Sequence, residues 1–441
     1  MAFEIGQRVV FGRPSNVLRA VAGDALLIAP FVPKSGEVHA PGQFPELDCV
    51  RALLPADIID AAERRAEETG VGAERVLIAG GLLGEEAYLR TLAASLGVRF
   101  ESLDATPRQA CLLSDARLME AAAAQILPLA GDDGPLMVVA PRSARHVIAL
   151  IKSNPGTAGR FRFTTQERLR RFVFRHGARC IGERAARALH DAWPALSAAP
   201  PRWRHSIAPA AITGTLALAA FLIAPGHATV AFEIMLAVVF LAWMILRLAG
   251  TLVGRPDPAR PARIHDSELP VYTIMSALYR EAAALEGLVN AIRLLDYPPE
   301  KLDVKIVVEA DDTETLDALA RLDPGPPFEV IVAPDIGPRT KPKALNAALP
   351  FARGSFTVIY DAEDRPEPDQ LRRALDAFAA EDNELACVQA CLTIDNTADN
   401  WITALFTAEY AGQFDVFLPA LAALGMPLPL GGSSNHFRGI R

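Results

Sequence analysis

From Leu269 to Ile394, strand-like and helix-like patterns alternate without interruption, an order that few architectures accept. Short β-branched and aromatic runs at 270–278, 304–310, 328–334, 355–361 and 385–394 are separated by amphipathic segments at 280–296, 313–322, 343–352 and 369–380. The pattern predicts an α/β, doubly wound, mostly parallel sheet, in which ligands bind beyond the carboxyl ends of the strands. Those ends carry Tyr279, Arg280 and Glu281 after the first strand, Asp311 and Asp312 after the second, and Asp361 and Glu363 after the fourth. No Gly-x-Gly-x-x-Gly follows the first strand, which argues against a dinucleotide-binding domain.

The most informative end is the fourth. Phe356–Tyr360 reads as a buried strand that stops at Asp361, Glu363 and Asp364. Side chains alternate along extended backbone, so Asp361 and Glu363 point one way while Ala362 turns back to the core. Two carboxylates so placed suit a hard divalent cation that keeps water and phosphate oxygens as its remaining ligands. A solvated acidic turn before Pro366 is the competing reading. Lys341 and Lys343, at a helix start just upstream, could offset diphosphate charge, a solvated helix start being the competing reading for Lys341.

The chain has 441 residues, room for about three domains at roughly 150 residues each. A net charge of −8 excludes a nucleic-acid binder, because that binding needs a basic face. The hydrophobic share, 51%, is high for a purely soluble protein and concentrates in Ile207–Ala224 and Val230–Leu246. Each run approaches the roughly 17 to 25 residues that cross a bilayer. Only residues 225–229 separate them, so the expectation is a two-helix transmembrane hairpin. Arg202 and Arg204 precede it and Arg247, Arg255, Arg260 and Arg263 follow, while its tip has neither Lys nor Arg; both flanks are therefore expected to be cytoplasmic. Glu233 is expected to snorkel to the outer interface. The N-terminus lacks the apolar core of a signal peptide. Five scattered cysteines fit reduced thiols better than a disulfide framework.

Upstream, residues 1–50 read as a loosely ordered arm and 51–160 as a small α+β domain. The latter shows helical patterns between Leu54 and Arg99, a hairpin about Asp132-Asp133-Gly134, and a further helix at 143–152. Residues 164–200 read as a charged helix pair within a helical linker, 161–204, that leads to membrane segments at 205–250. Gly81-Leu82-Leu83, Tyr88-Leu89, Leu127-Pro128-Leu129 and Leu136–Val139 resemble the N-terminal domain of type II secretion ATPases. That resemblance implies docking to a secretion or export partner. Some relatives bind cyclic di-GMP through a repeated motif opening with Arg-Leu-Gly; here the matching positions hold Gly72, Ala73 and Glu74, in one copy. The phosphate-binding loop of the ATPase half does not occur.

Residues 265–441 resemble family 2 glycosyltransferases of the GT-A fold, the group of cellulose and hyaluronan synthases. The resemblance rests on Tyr279-Arg280-Glu281, Asp311-Asp312, Lys343-Ala344-Leu345-Asn346 and Asp361-Ala362-Glu363-Asp364, in the family's order. It implies a membrane-anchored, inverting enzyme that transfers sugar from a nucleotide-diphosphate donor, UDP-linked in the usual case, to a growing glycan. It further implies donor binding by Tyr279, Glu281, Asp311, Lys343, Asn346 and Asp361, and Mg²⁺ or Mn²⁺ held by Glu363 and Asp361. The Gly431–Phe437 run resembles an acceptor-side motif, which brings in Gly432, His436 and Arg438. The family's general-base aspartate follows in a Thr-Glu-Asp motif, so the expectation is that this residue lies beyond Arg441 and no catalytic base is assigned here. The implied location is a bacterial inner membrane, multi-pass and in contact with lipid, with both flanking domains cytoplasmic. The alternative is a catalytically incomplete adaptor whose N-terminal domain binds a partner or cyclic di-GMP.

Overall fold

The computed structural model describes residues 2–4, 44–132, 134–197, 204–252, 263–380 and 385–439. Arg202, Arg255 and Arg260, and most of the N-terminal arm, lie outside them. After a short strand β1 (Ala2–Glu4), the N-terminal module contains α1 (Ala56–Thr69), α2 (Ala73–Ala79), α3 (Glu85–Ser95), β2 (Arg99–Phe100), α4 (Leu118–Ala124), β3 (Ile126–Leu129), β4 (Leu136–Val139), α5 (Ala144–Ser153), β5 (Phe161–Phe163) and α6 (Gln166–Ala192). Its sheet runs β2-β5-β4-β3, with the β3–β4 hairpin in the register Leu127↔Val138. Leu77, Tyr88, Leu92, Ile148 and Phe163 fill the core beside it. Where a charged helix pair is expected at 164–200, one continuous helix, α6, runs from Gln166 to Ala192. Thr165 caps it by accepting from the Arg168 N–H at 3.1 Å, and no proline interrupts it before Pro194.

The apolar region forms α7 (Arg204–Ile223) and α8 (Pro225–Gly250). Among the described helices, α8 alone is long and apolar enough to cross a membrane. The expected two-helix hairpin is thus corrected to one candidate span. Pro209 lies inside α7, whose apolar stretch among the described side chains, Ala208–Ile223, is about 24 Å long at ~1.5 Å per residue, short of a ~30 Å bilayer core. The expected tip is also absent, because Pro225–Thr229 forms the first turn of α8.

The C-terminal half comprises β6 (Tyr272–Leu278), α9 (Leu285–Arg293), β7 (Leu302–Glu309), α10 (Thr313–Leu322), β8 (Phe328–Ala333), α11 (Lys341–Ala348), β9 (Phe356–Ile359), β10 (Arg365–Pro366), α12 (Gln370–Ala380), β11 (Cys387–Gln389), β12 (Cys391–Leu392), α13 (Trp401–Ala411), α14 (Leu418–Ala423) and β13 (Asn435–Arg438). A π-helical turn, Gly412–Phe417, joins α13 to α14. The main sheet runs β11-β13-β9-β6-β7-β8, parallel from β9 through β8, with β13 antiparallel to both of its neighbours. This agrees with the predicted α/β, mostly parallel sheet. The strand expected at 385–394 divides at Ala390: β11 stays in the main sheet, while β12 joins β1 and β10 in a small one.

The two halves pack together. Arg65 pairs with Glu300 at 3.1 Å, Arg170 with Glu329 at 2.8 Å, and Phe174 stacks on Phe351 with ring centroids 5.2 Å apart. Within the sheet, Lys305 meets Asp303 at 2.9 Å and Glu329 at 2.6 Å, and Arg353 meets Asp303 at 2.7 Å. Burial opposes a charge on Asp303, yet these two cations hold its carboxyl below the usual range. At the end of α8, Trp243 packs on Phe417 at 5.0 Å and Arg247 pairs with Glu409 at 3.2 Å.

Candidate donor site at the strand ends

At the end of β6 the chain turns through Arg280, whose φ of +59° lies in the left-handed region. Its N–H donates to Asp312 Oδ2 at 2.6 Å, and Asp312 also caps α10 by accepting from the Thr315 N–H at 3.1 Å. Burial opposes charge on Asp312, but the bonds from Arg280 and Thr315 leave its carboxyl below the ordinary range. Asp312 thus holds two loops together, while Asp311 faces outward. The Tyr279 hydroxyl donates to Asp311 at 3.3 Å, and the Arg280 guanidinium lies 5.1 Å over the Tyr279 ring.

A loop at 334–340 brings in positive charge from the other side. Arg339 pairs with Asp311 at 3.2 Å and with Asp335 at 3.2 Å. Lys341, opening α11, is ion-paired with Asp361 and donates to the Gly432 carbonyl at 2.8 Å. The Asp361 N–H donates to Asp364 at 2.7 Å, and the Ser433 hydroxyl donates to the same carboxylate. Burial pushes the Asp364 carboxyl up to about 6 despite these bonds. Glu363 stays exposed beside this buried anchor. Glu281 titrates above the usual range, chiefly through burial and then through the nearby charges of Glu363 and Asp361. Tyr279, Glu281, Asp311, Asp361, Glu363 and Gly432 therefore share one edge of the sheet.

Four other residues assigned from the resemblance sit elsewhere. Lys343 is 1% exposed, ion-paired with Glu309 at 2.6 Å and bonded to the Pro334 carbonyl at 2.8 Å. Asn346 donates to the Ala185 carbonyl of α6 at 3.0 Å. Lys343 lies on the helix face that packs inward, Asn346 is exposed at the edge that meets α6, and Lys341 alone of the helix's first basic pair reaches the site. His436 is fully buried, its Nδ1 2.7 Å from the Tyr272 hydroxyl, and burial lowers its pKa to about 3. Arg438 donates to the Phe378 carbonyl at 2.8 Å and lies over the rings of Phe356 and Phe378. The physical reason is β13: residues 435–438 form an inner strand, so alternate side chains enter the core instead of lining an open turn. Arg339, Asp364 and Ser433 carried no assigned role in the sequence. Their signals were a basic run before α11, a third acid after Glu363, and a hydroxyl after the glycine pair.

No group of three or more His, Cys, Asp or Glu able to hold a metal occurs among the described residues. Asp361 and Glu363 nevertheless fit a Mg²⁺-like ion, which takes one or two protein carboxylates and completes its shell with phosphate and water. In the N-terminal module, Glu74 is buried at the cyclic di-GMP motif position, accepting from the Ala144 N–H at 3.3 Å.

Residues 270–434 match the family model described as glycosyltransferase like family 2. A curated relative, beta-monoglucosyldiacylglycerol synthase of Synechocystis sp., is 28% identical over 182 residues; the match covers 38% of this chain and 38% of the relative's own length. Among solved structures, a mannosyltransferase from Pyrobaculum calidifontis in complex with GDP-Man and Mn²⁺ is 27% identical, covering 36% of this chain and 46% of that one, with a TM-score of 0.31. Mannosyl-3-phosphoglycerate synthase from Rubrobacter xylanophilus is 18% identical, covering 38% and 54%, with a TM-score of 0.26.

Proposed function

We propose that residues 270–434 form the donor-binding domain of an inverting glycosyltransferase that takes a nucleotide-diphosphate sugar, a UDP-sugar in the first instance, and serves a glycan acceptor. One observation carries this reading: acids from three strand ends, Glu281, Asp311 and the Asp361–Glu363 pair, meet two cations, Arg339 and Lys341, on a single edge of the sheet. The family match over the same residues supports it. Tyr279 and Asp311 receive the nucleoside end of the donor, with Asp311 accepting hydrogen bonds from the base. Asp361 addresses the ribose or the sugar. Asp361 and Glu363 hold Mg²⁺ or Mn²⁺, which supplies charge neutralisation to the departing diphosphate when bound. Lys341 and Arg339 add fixed positive charge at the same place. The Gly432 carbonyl and its exposed turn lie on the acceptor side. Helix α8 supplies the apolar surface that attaches the protein to a bilayer, and because the N-terminal module and the transferase domain pack against each other, both lie on one face, the cytoplasmic one.

Calorimetry on the full chain tests this. UDP-glucose and GDP-mannose are titrated with and without Mn²⁺, and binding is expected to require the metal and to fall at least about tenfold in Asp361→Ala and Glu363→Ala, as for loss of a charge-assisted contact. Metal-independent binding, or binding unaltered in both variants, refutes the proposal. Radiolabel transfer to oligosaccharide or to diacylglycerol then assigns the acceptor class.

A further inference from the structure

Both cations of the candidate donor site belong to the 334–340 loop and the first residue of α11, and that loop is mostly exposed. Asp335 and residues 337–340 face solvent, whereas Pro334 is buried and Ile336 half-buried. Ile336 packs against helix α6 of the N-terminal module, at Gly182. A Cβ on Gly182 would stand 2.7 Å from Ile336 Cβ and 3.3 Å from its carbonyl oxygen, so the contact exists only because residue 182 has no side chain. The next residue repeats the device: Gly337 turns with φ +83°, and a Cβ there would meet Ala186 Cβ at 3.0 Å. Around this notch, Asn346 bonds the Ala185 carbonyl at 3.0 Å, and Arg170 donates to the Val330 carbonyl at 3.0 Å in the strand leading into the loop. Helix α6 therefore grips the loop on both sides, and two residues after Gly337 comes Arg339.

We propose that Gly182 is a positioning residue: through Ile336, helix α6 sets where Arg339 and Lys341 stand relative to Asp311 and Asp361, so the N-terminal module governs affinity for the nucleotide diphosphate. The inference rests on the donor-site reading above. Holding two flexible cations in place before the anion arrives removes an ordering cost from binding, and an exposed loop without the notch would bear that cost at every binding event. The contact also gives the module a physical route to the site, since any movement of α6 relative to β8 displaces Ile336 first.

The test is a double-mutant cycle on the full chain, with UDP and Mn²⁺ as the probe. Gly182→Leu fills the notch, and Ile336→Ala empties it without adding bulk, so a folding failure in the first leaves the second. Each is expected to weaken UDP binding about tenfold, within the usual range of coupling between contacting residues, and by less than about twofold once Arg339 and Lys341 are both alanine. Glu300→Gln, which breaks the remote Arg65 pair between the same two halves, is expected to leave affinity unchanged. If the notch variants cost as much in the Arg339→Ala/Lys341→Ala background as in the parent, position 182 acts through general destabilisation and the proposal is overturned. If Arg339→Ala/Lys341→Ala itself binds UDP as the parent does, the donor-site reading falls and takes this inference with it.

Discussion

Lys341 spans the candidate site, its ammonium ion-paired with Asp361 and bonded to the Gly432 carbonyl at 2.8 Å. The metal-binding carboxylate and the glycine-rich turn are thereby tied to one flexible side chain. A cation arriving at Asp361 competes with this ammonium, whereas an arriving diphosphate gains from it.

Removing the ammonium should therefore split the two ligands. In Lys341→Ala, affinity for Mn²⁺ alone is expected to rise by up to about fivefold, the scale of a partly exposed ion pair, while affinity for UDP with Mn²⁺ falls. Titrations of each ligand on the same preparation measure both; parallel changes contradict this geometry.

Lys343 was assigned to the donor by resemblance and stands instead in the core. Lys343→Ala leaves Glu309 buried without its partner and is expected to cost about 3–5 kcal/mol of stability. Adding Glu309→Gln should recover part of that loss. Chemical denaturation measures both, and a stable Lys343→Ala with weakened UDP binding would restore the original assignment.

His436 supplies a pH dependence. Its pKa falls from 6.5 to about 3 through burial, so between these values the folded state binds fewer protons than the unfolded one. Stability should be full above pH 6.5 and fall as the pH drops toward 3, by up to about 1.4 kcal/mol per pH unit from this group. His436→Gln is expected to flatten that slope in denaturation curves recorded from pH 7 to pH 4.

Helix α8 exposes apolar side chains along most of its length, Val238 near its middle being 60% exposed. If a bilayer surrounds it, Val238→Arg costs about 2.5–3.5 kcal/mol of insertion energy. A larger fraction of the variant should then leave membranes on alkaline washing, with Val238→Leu unchanged.

Much of the fold could be read directly because its signals are local. The 313–322 helix and the strands at 270–278 and 328–334 appear within a residue or two of expectation, since period and turn chemistry decide them. Asp361 and Glu363 were legible because a strand ended there in acids. Lys343, Asn346, His436 and Arg438 were not, because what engages them is remote: α6 meets α11, and β9 and β11 enclose β13. Motif order places a residue on an element but leaves open which face a distant partner covers. The apolar pair of helices failed for a simpler reason: the described apolar stretch of α7 is short, and the residues expected at the tip are the first turn of α8.

The position of β13 has a consequence for how the chain acquires its shape. β9 and β11 leave the ribosome long before residues 435–438, yet they meet only through that strand, which pairs Val358 with His436 on one side and His436 with Val388 on the other. Until it is made, β9 is paired only with β6 and has an unfilled edge next to the acids of the site, and the turn that carries Ser433 to Asp364 has no strand to hold it. Vectorial synthesis thus delays completion of the sheet and of the site's anchor to the same late moment, and a nascent chain stalled before residue 435 offers chaperones an open strand.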